Sequence, residues 1–311
     1  MEKNDTLIRG KIFDIRRFST HDGDGIRTTI FLKGCPLKCA WCQNPEGISL
    51  EEHLICFENR CINCGLCTKN CSNKSIIEKD NKICIVNEKC TDEQNKVAID
   101  ICPTGALTMD CKNYTLDEVV EIAIKDKAFF KYGGGVTLSG GEPFSQGDFI
   151  IELLKRLKEI GINTAIETSL FVSSEYLLEA LPYLDIIFAD FKEFDNKKHK
   201  AFTGVSNELI KKNIKLILES DKRDCVIIRT PLIPNYTGNN DNISAISKYI
   251  SDIYPNVKYE LLNYNPLAKS KYNLIDNLDY CFEENPSMYT DEQMKEFQDI
   301  ACLSGIKNLI K

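Results

Sequence analysis

Residues 34–42 read Gly34-Cys35-Pro36-Leu37-Lys38-Cys39-Ala40-Trp41-Cys42, in which the cysteines follow the spacing Cys-x3-Cys-x2-Cys. This loop comes directly after a β-rich run at residues 27–33. Three thiolates can hold three corners of a cubane iron–sulfur cluster and leave the fourth iron open to a small molecule. The triplet alone also permits a structural zinc site, which would take its fourth ligand from His53 or Cys56.

Downstream of this loop, short β-rich runs alternate with stretches of helical spacing. Together with residues 27–33, the candidate strands are 135–139, 164–167, 186–190, 226–229 and 258–262. Apolar residues at helical spacing predict helices near 146–160, 210–217 and 243–253. This alternation predicts βαβ units and a mainly parallel sheet. Six such strands are enough for an incomplete βα barrel and fewer than the eight of a closed one.

The composition limits the class of protein. The chain has 311 residues, is 43% hydrophobic and 27% charged, and carries a net charge of −7. These values exclude a disordered chain, a fibrous repeat and a nucleic-acid binder that relies on bulk positive charge. The sequence contains neither an apolar run of about 18 residues nor the apolar stretch of a signal peptide. We therefore expect a cytoplasmic protein with no membrane span and no nucleic-acid partner.

The cysteines are concentrated near the N-terminus, where twelve of the fifteen lie in the first 111 residues. In a reducing compartment, clustered thiols bind metal more often than they form disulfides. Residues 51–111 hold nine of these cysteines and few long periodic runs, so they read as an inserted module that metal centres hold together. We therefore divide the chain into an N-terminal core segment at 1–50, the module at 51–111 and the rest of the core at 112–311.

The module contains a ferredoxin-like run, Cys61-x2-Cys64-x2-Cys67-x3-Cys71. In two-cluster ferredoxins the first three thiolates hold one cluster with a fourth from the second half, here Cys102 before Pro103. The sequence thus predicts one auxiliary 4Fe–4S cluster on Cys61, Cys64, Cys67 and Cys102.

The second half of the module is incomplete, because the two middle cysteines between Cys90 and Cys102 are missing. A second auxiliary cluster on Cys71 and Cys90, helped by Cys84, Cys56 or Cys111, and a degenerate lobe without a cluster are the two alternatives. We favour Cys56 and Cys111 as small, half-buried apolar residues, and interpret Cys225, Cys281 and Cys302 in the same way.

The pattern Cys-x3-Cys-x-aromatic-Cys after the first strand of a βα chain resembles that of radical S-adenosylmethionine (SAM) enzymes, with Trp41 in the aromatic position. The resemblance implies an α/β fold with an incomplete (β/α)6 barrel. It also implies a 4Fe–4S cluster on Cys35, Cys39 and Cys42 whose open iron binds the amino and carboxylate groups of SAM. One electron through the cluster would then cleave SAM to methionine and a 5′-deoxyadenosyl radical.

Motifs at the ends of later strands are similar to the SAM-binding motifs of this family. They are Gly140-Gly141-Glu142, which in the family holds the methionine amino group, Glu167-Thr168, Asp190-Phe191-Lys192 and Arg229. Asn265 stands where related activases usually have a His, and it can hydrogen-bond but cannot carry charge. The resemblance therefore implies SAM contacts at Trp41, Gln43, Gly140, Gly141, Glu142, Glu167, Thr168, Asp190, Phe191, Lys192, Arg229 and Asn265.

Two further stretches resemble the activating enzymes of glycyl radical enzymes, relatives of pyruvate formate-lyase activase. They are the leader at 17–29, which differs from the family by Asp24 in place of Pro, and the pattern from His199 to Asn207. The resemblance implies a monomeric enzyme that abstracts hydrogen from a backbone glycine of a partner enzyme, with flavodoxin or ferredoxin as electron donor. It needs no acid–base residue, and we interpret His21 as structural in the leader loop and His199 as a helix-surface residue.

Two alternatives of other kinds stay open. One is a radical SAM enzyme that acts on another peptide or on a small molecule. The other is a ferredoxin-like electron carrier on a non-catalytic βα scaffold. Cleavage of SAM to 5′-deoxyadenosine by the reduced protein distinguishes an enzyme from a pure carrier.

Overall fold

The computed structural model describes residues 8–272, 282 and 286–310. Its strands are β1 (Arg9–Ser19), β2 (Arg27–Leu32), β3 (Leu54–Cys56), β4 (Ile76–Lys79), β5 (Lys82–Ile85), β6 (Leu107–Met109), β7 (Lys112–Thr115), β8 (Gly135–Gly140), β9 (Asn163–Thr168), β10 (Ile186–Asp190), β11 (Val226–Leu232), β12 (Lys258–Asn263) and β13 (Asn308–Ile310). Its α-helices are α1 (Leu66–Lys69), α2 (Asp92–Ile101), α3 (Leu116–Asp126), α4 (Gly147–Glu159), α5 (Ser174–Ala180), α6 (Asn196–Thr203), α7 (Glu208–Leu218), α8 (Asn240–Ile253), α9 (Lys269–Tyr272) and α10 (Asp291–Leu303).

A nine-stranded sheet forms the centre of the molecule, in the order β13-β12-β11-β10-β9-β8-β2-β1-β7. Strands β2 and β8 to β12 are the six predicted strands, and each pairs in parallel with its neighbour. Among the described residues no strand pairs with the outer edge of β13 or of β7, so the sheet does not close, as expected for an incomplete barrel. The predicted α/β fold with a mainly parallel sheet is therefore confirmed.

Three strands at the edges of the sheet were not predicted. β1 and β7 are antiparallel additions beside β2, and β13 extends the parallel edge beyond β12. β1 is half-exposed and rich in charge, so its pattern lacks the apolar signature of the buried strands, while β13 has only three residues.

The three predicted helices are confirmed as α4, α7 and α8. Each buries the apolar stripe that predicted it: Leu153 and Leu157 in α4, Ile214 in α7, and Ile246 and Ile250 in α8 have no exposed surface. Burying one such side chain contributes about 1.5–3 kcal/mol, so these stripes supply much of the energy that fixes the helices against the sheet. Together with the strands they form one main core.

Residues 51–111 contribute no described strand to the large sheet. They form the two-stranded sheets β3·β6 and β4·β5 around a small core of Leu54, Ile76, Ile85, Ala98 and Leu107. A buried ion pair between Lys33 and Asp110 ties the end of this segment to the residue that precedes the Cys35 loop. Removal of either partner would leave an uncompensated buried charge, so the pair fixes the segment beside the barrel.

His199 is fully buried, and the helix-surface position predicted for it is wrong. Its Nδ1 lies 2.8 Å from the carbonyl oxygen of Val205. Because a carbonyl only accepts, Nδ1 carries the proton and donates it to the turn that ends α6. Burial and the nearby Lys192 and Lys211 lower the pKa of His199 and outweigh the opposing effect of that bond, so the ring is neutral at pH 7.

Candidate active site

A cavity of about 250 Å³ lies at the carboxyl ends of the parallel strands, where βα folds place their sites. Its lining includes the Cys35–Cys42 loop and residues at the carboxyl ends of four strands, Ser139, Gly140, Glu167, Thr168, Asp190, Leu262 and Asn263, together with Arg229 from the middle of β11 and Pro231 near its end. The loop and motifs that the sequence analysis singled out therefore converge on one place. The most distant of these residues are more than 200 positions apart in the sequence.

Backbone hydrogen bonds hold the cysteine loop on two sides. The amides of Gly34 and Cys35 donate to the carbonyls of Gly47 and Ile48, at 2.8 and 2.9 Å. On the other side, the amides of Lys38 and Ala40 donate to the carbonyls of Thr203 and Phe202 at the end of α6, at 2.8 and 3.1 Å. Because these bonds use only backbone atoms, none of them occupies a cysteine side chain.

All three thiols of the loop line the cavity. Burial and, to a smaller extent, the neighbouring Cys39 raise the pKa of Cys42 to about 12. Burial also raises the pKa of Cys39, which the nearby ammonium of Lys192 opposes. Three neutral thiols that face one cavity form a donor set that loses protons when metal binds.

This donor set fits a cubane cluster better than a zinc ion. His53 and Cys56, the candidates for a fourth zinc ligand, are absent from the residues that line the cavity. Across the described part of the chain, no three His, Cys, Asp or Glu side chains are close enough to hold a single metal ion. A cubane spreads its ligands over separate irons, so three thiols without a fourth partner suit a cluster with one open iron.

Gly140 and Gly141 allow the backbone to turn sharply at the cavity. Gly140 has φ +113°, and a Cβ there would lie 2.3 Å from the amide nitrogen of Leu32. A Cβ on Gly141 would lie 2.4 Å from the carbonyl oxygens of Gly34 and Gly47. No side chain fits at these distances, so glycine is required for this turn to pack against the start of the cysteine loop.

Glu142 has a different position from the one expected. Its carboxylate is 1% exposed and does not line the cavity. It accepts hydrogen bonds from the amide and hydroxyl of Ser169, at 2.8 and 2.6 Å, and from the hydroxyl of Thr168, at 2.9 Å. With its oxygens occupied by these donors, the side chain fixes the Thr168–Ser169 turn, and the two glycines and this turn face the cavity instead.

For Glu142→Gln we expect a free energy of unfolding lower by about 2–3 kcal/mol. One carboxylate oxygen faces the amide of Ser169 and the other faces the amide of Phe144, at 2.8 and 3.3 Å. Either orientation of a glutamine amide therefore places its NH2 group against a backbone donor that cannot reverse. Urea unfolding monitored by fluorescence measures the loss. Glu159→Gln, on the exposed end of α4, is the matched control, and equal stability of the two variants would contradict this role.

Four charged side chains form the polar part of the cavity lining. Arg229 donates to Glu167 at 2.8 Å and to Asp190 at 3.1 Å, and Lys192 donates to Asp190 at 2.7 Å. Burial alone would raise the pKa of Asp190, but Lys192 and Arg229 outweigh it and hold that pKa below its usual value. The lining thus carries two negative and two positive groups and suits a ligand that itself carries both signs of charge.

Phe191 does not line this cavity, and its expected contact with SAM is corrected. The side chain is fully buried in the main core, against Phe194 and Tyr249. β10 ends at Asp190, and its alternation of faces continues through the next two residues, so Asp190 and Lys192 face the cavity while Phe191 between them faces the core. This alternation would have predicted the buried position of Phe191 from the sequence.

Comparison with known proteins identifies the fold and chemistry. A model of the radical SAM superfamily matches residues 29–243.

The chain belongs to the radical SAM superfamily.

Two relatives that match most of the chain are named activating enzymes. The 4-hydroxyphenylacetate decarboxylase activating enzyme of Clostridioides difficile is 37% identical over 305 residues, which cover 96% of this chain and 95% of the relative. The isethionate sulfite-lyase activating enzyme of Desulfovibrio desulfuricans is 37% identical over 276 residues, 87% of this chain and 88% of the relative. A solved domain of a pyruvate-formate lyase-activating enzyme from Bacteroides vulgatus is 27% identical, covers 58% of this chain and all of that domain, and has a TM-score of 0.44.

Membership of the radical SAM superfamily implies a 4Fe–4S cluster and SAM, and the cavity has the features that both require. Trp41 lines it and packs edge-to-face on Phe202 and Tyr236 behind the cysteine loop. Gln43 donates to the carbonyl of Asn265 at 3.0 Å and so joins the loop to the end of β12. Asn265 lines the cavity, while its side-chain oxygen accepts the amide of Leu267 at 3.0 Å.

Several residues that line this cavity were not predicted from the sequence. Ser139 lies beside the predicted glycines and donates to Glu167, and Ser169 follows the predicted Thr168. Both are direct neighbours of predicted residues, so extending each motif by one position would have included them. Asn44 and Tyr264 also line the cavity, and they too are direct neighbours of predicted residues, Gln43 and Asn265.

The inserted segment of this radical SAM enzyme forms a second group of thiols. A small cavity is lined by Cys61, Cys64, Cys67 and Cys102, the predicted auxiliary set, and also by Cys56. Cys71 lies elsewhere: its sulfur accepts the amide of Ile76 at 3.2 Å and contacts Ser75 and Gln94. The cavity beside Cys90 contains no second cysteine among the described lining residues. The structure therefore brings the first set together at one cavity, while Cys71 and Cys90 both pack against the small apolar core of the segment.

The other cysteines are dispersed. Cys111 is buried beside Asp110, Cys225 is half-buried at the start of β11, and Cys302 is exposed on α10. Cys281 lies outside the described residues. No helix in the described ranges is both long enough and apolar enough to cross a bilayer.

Proposed function

We propose that this enzyme activates a partner glycyl radical enzyme by removing a hydrogen atom from one backbone glycine. When bound, the cluster and SAM supply a 5′-deoxyadenosyl radical for this step, with methionine and 5′-deoxyadenosine as products. The observation that carries the proposal is the group of three loop thiols at a cavity whose described lining offers no fourth Cys or His ligand. Relatives that match 96% of the chain and are named activating enzymes support the choice of reaction.

Within this proposal, the chain's own residues hold and orient SAM. Cys35, Cys39 and Cys42 hold the cluster, and the four charged groups of the lining bind the zwitterionic methionine part. The proposed SAM-site residues are Trp41, Gln43, Gly140, Gly141, Ser139, Glu167, Thr168, Ser169, Asp190, Lys192, Arg229 and Asn265, with Glu142 acting through Thr168 and Ser169. Apolar residues of the lining, among them Ile233 and Leu262, exclude water from a reactive species.

We also propose that residues 51–111 are an electron-transfer module with one auxiliary 4Fe–4S cluster on Cys61, Cys64, Cys67 and Cys102. The surface beside Cys64 supports docking of an electron donor, because Ile62 is 64% exposed and Leu66 38% exposed. Arg60 and Lys69 are exposed on the same turn and helix, which suits an acidic donor such as flavodoxin or ferredoxin. Docking of the glycyl radical enzyme itself on this module is the competing role.

The proposal includes a monomeric enzyme in an anaerobic cytoplasm. Thiols as exposed as Cys64 leave a bound cluster open to oxygen, which favours an anaerobic compartment. Two relatives that are named for different partner enzymes are each 37% identical to this chain. Sequence identity therefore does not indicate which glycyl radical enzyme this chain activates.

The test incubates the anaerobically reconstituted, reduced enzyme and SAM with a glycyl radical enzyme encoded beside this chain. We expect a glycyl-radical signal by electron paramagnetic resonance (EPR), with about one 5′-deoxyadenosine formed per radical. A partner variant with alanine in place of the radical-bearing glycine is the control and should give no signal. Cleavage of SAM without a radical in any partner would favour the enzyme acting on another peptide or small molecule. Absence of cleavage would favour the electron carrier.

A further inference from the structure

The auxiliary cavity contains one cysteine more than a cubane cluster uses. Five thiols line it, those of Cys56, Cys61, Cys64, Cys67 and Cys102, whereas a cubane takes about four protein ligands. Cys56 is outside the ferredoxin spacing, and the sequence analysis interpreted it as an apolar residue. Its surroundings in the structure are different.

Local structure fixes Cys56 beside the ferredoxin-like run. Cys56 ends β3 and pairs with Leu107 of β6, which follows the turn after Cys102. The next residue, Phe57, donates its amide to the carbonyl of Ala106 at 2.8 Å. A single helical turn then brings the chain back, and the amide of Cys61 donates to the carbonyls of Phe57 and Glu58, at 3.2 and 3.1 Å. Cys56 is thus held between the segments that carry Cys61 and Cys102.

The thiol of Cys56 lines the auxiliary cavity together with the four predicted ligands, and its side chain forms a hydrogen bond with that of Cys61. Cys56 also packs against the small apolar core of the segment, as do Cys67 and Cys102. Packing on this core therefore does not distinguish an apolar residue from a ligand, whereas the position of Cys56 at the cavity favours a ligand.

Cys64 is the most exposed thiol of the set. It is exposed, whereas Cys56, Cys61, Cys67 and Cys102 are all half-buried. Thiols are oxidised or lost as ligands in proportion to their access to solvent, so the corner of the cluster at Cys64 is the vulnerable one. The more protected Cys56 faces the same cavity.

We propose that Cys56 is a second ligand for the cluster corner that Cys64 occupies. When Cys64 leaves, one iron–sulfur bond to Cys64 breaks and one to Cys56 forms, and the proton of the Cys56 thiol passes to the departing Cys64 thiolate. No electron is gained or lost in this exchange. It keeps four thiolates on the cluster and protects the module from loss of iron. The inference rests on the proposed auxiliary cluster.

The test uses the full chain with Cys35, Cys39 and Cys42 all changed to alanine, so that bound iron reports the auxiliary site. Cys56→Ala, Cys64→Ala and the double variant are made in this background and reconstituted with iron and sulfide under anaerobic conditions. Iron and sulfide content, the visible absorption and the EPR spectrum of the reduced cluster are measured. Cys84→Ala, on β5 and outside the cavity lining, is the matched control, and circular dichroism reports folding.

We expect about four irons per chain in the background, in each single variant and in the control, and less than about one in the double variant. Loss of the cluster in Cys64→Ala alone would overturn the exchange, because Cys56 then does not replace it. Loss in Cys56→Ala alone, or retention in the double variant, would overturn it as well. A background protein without iron would instead contradict the proposed auxiliary cluster itself.

Discussion

In Cys39→Ala, we expect SAM cleavage to be lost and bound iron to fall from about eight to about four per chain. Cys39 is the middle thiol of the loop, and the cavity that it lines offers no other described Cys or His to replace it. Three protein ligands are the minimum for a site-differentiated cluster, so removal of one leaves two irons without a protein ligand. The remaining iron belongs to residues 51–111, whose thiols line a separate cavity.

The fold should tolerate Cys39→Ala. The loop is held through the amides of Lys38 and Ala40 and through the carbonyl of Cys39, which accepts the amide of Cys42 at 3.1 Å. None of these bonds uses the thiol.

Iron analysis, SAM-dependent EPR changes and 5′-deoxyadenosine formation under dithionite measure the effect of Cys39→Ala. Cys225→Ala, at the start of β11 and away from both thiol groups, is the control and should behave as the unmodified chain. Two results would contradict the assignment: SAM cleavage by the variant, or one zinc ion bound by the unmodified loop with spectra that added SAM does not change.

The sequence predicted those parts of the molecule that depend on local pattern. The six parallel strands and helices α4, α7 and α8 follow from apolar runs and helical spacing, because burial on the sheet dictates both. The cysteine loop and the strand-end motifs also came together as expected, since the carboxyl ends of parallel strands meet at one edge.

The features that the sequence did not predict depend on contacts between distant segments. Hydrogen-bond donors on Thr168 and Ser169 decide the orientation of Glu142. His199 is buried against the turn at Val205, six residues later. Cys56 approaches Cys102 because β3 pairs with β6, about fifty residues along the chain. Single-residue types and spacings do not encode these choices, because each depends on which partner the fold supplies.

Arg229→Met should have the largest effect on the cavity outside the cysteine loop. We expect the free energy of unfolding to fall by about 3–5 kcal/mol, because Glu167 loses the cation paired with it and Asp190 is left with Lys192 alone, both in a largely buried site. Affinity for SAM should fall by about 10–100-fold, because Arg229 no longer holds these two carboxylates in position. Methionine keeps much of the volume of the side chain, so these losses report charge rather than a cavity.

Two further variants separate charge from geometry. Arg229→Lys restores the charge, but one ammonium does not reproduce the fork that reaches Glu167 through Nη1 and Asp190 through Nε, so we expect only partial recovery. Combining Arg229→Met with Glu167→Gln removes the carboxylate that Arg229→Met leaves without its cation, and the double variant should be more stable than Arg229→Met alone.

The pH dependence gives the sign of the electrostatic contribution. Asp190 has a lowered pKa in the folded chain, so its stabilising contribution is present above the pKa that the group has when unfolded and is lost as pH falls through the folded value. Without Arg229 that pKa rises, because Lys192 alone then opposes the effect of burial, and protonation relieves the charge that Arg229 no longer compensates. The stability difference between the unmodified chain and Arg229→Met should therefore be small at about pH 4, grow with pH and level off near neutrality. Urea unfolding across this range measures it, and a difference independent of pH would mean that Arg229 acts through packing alone.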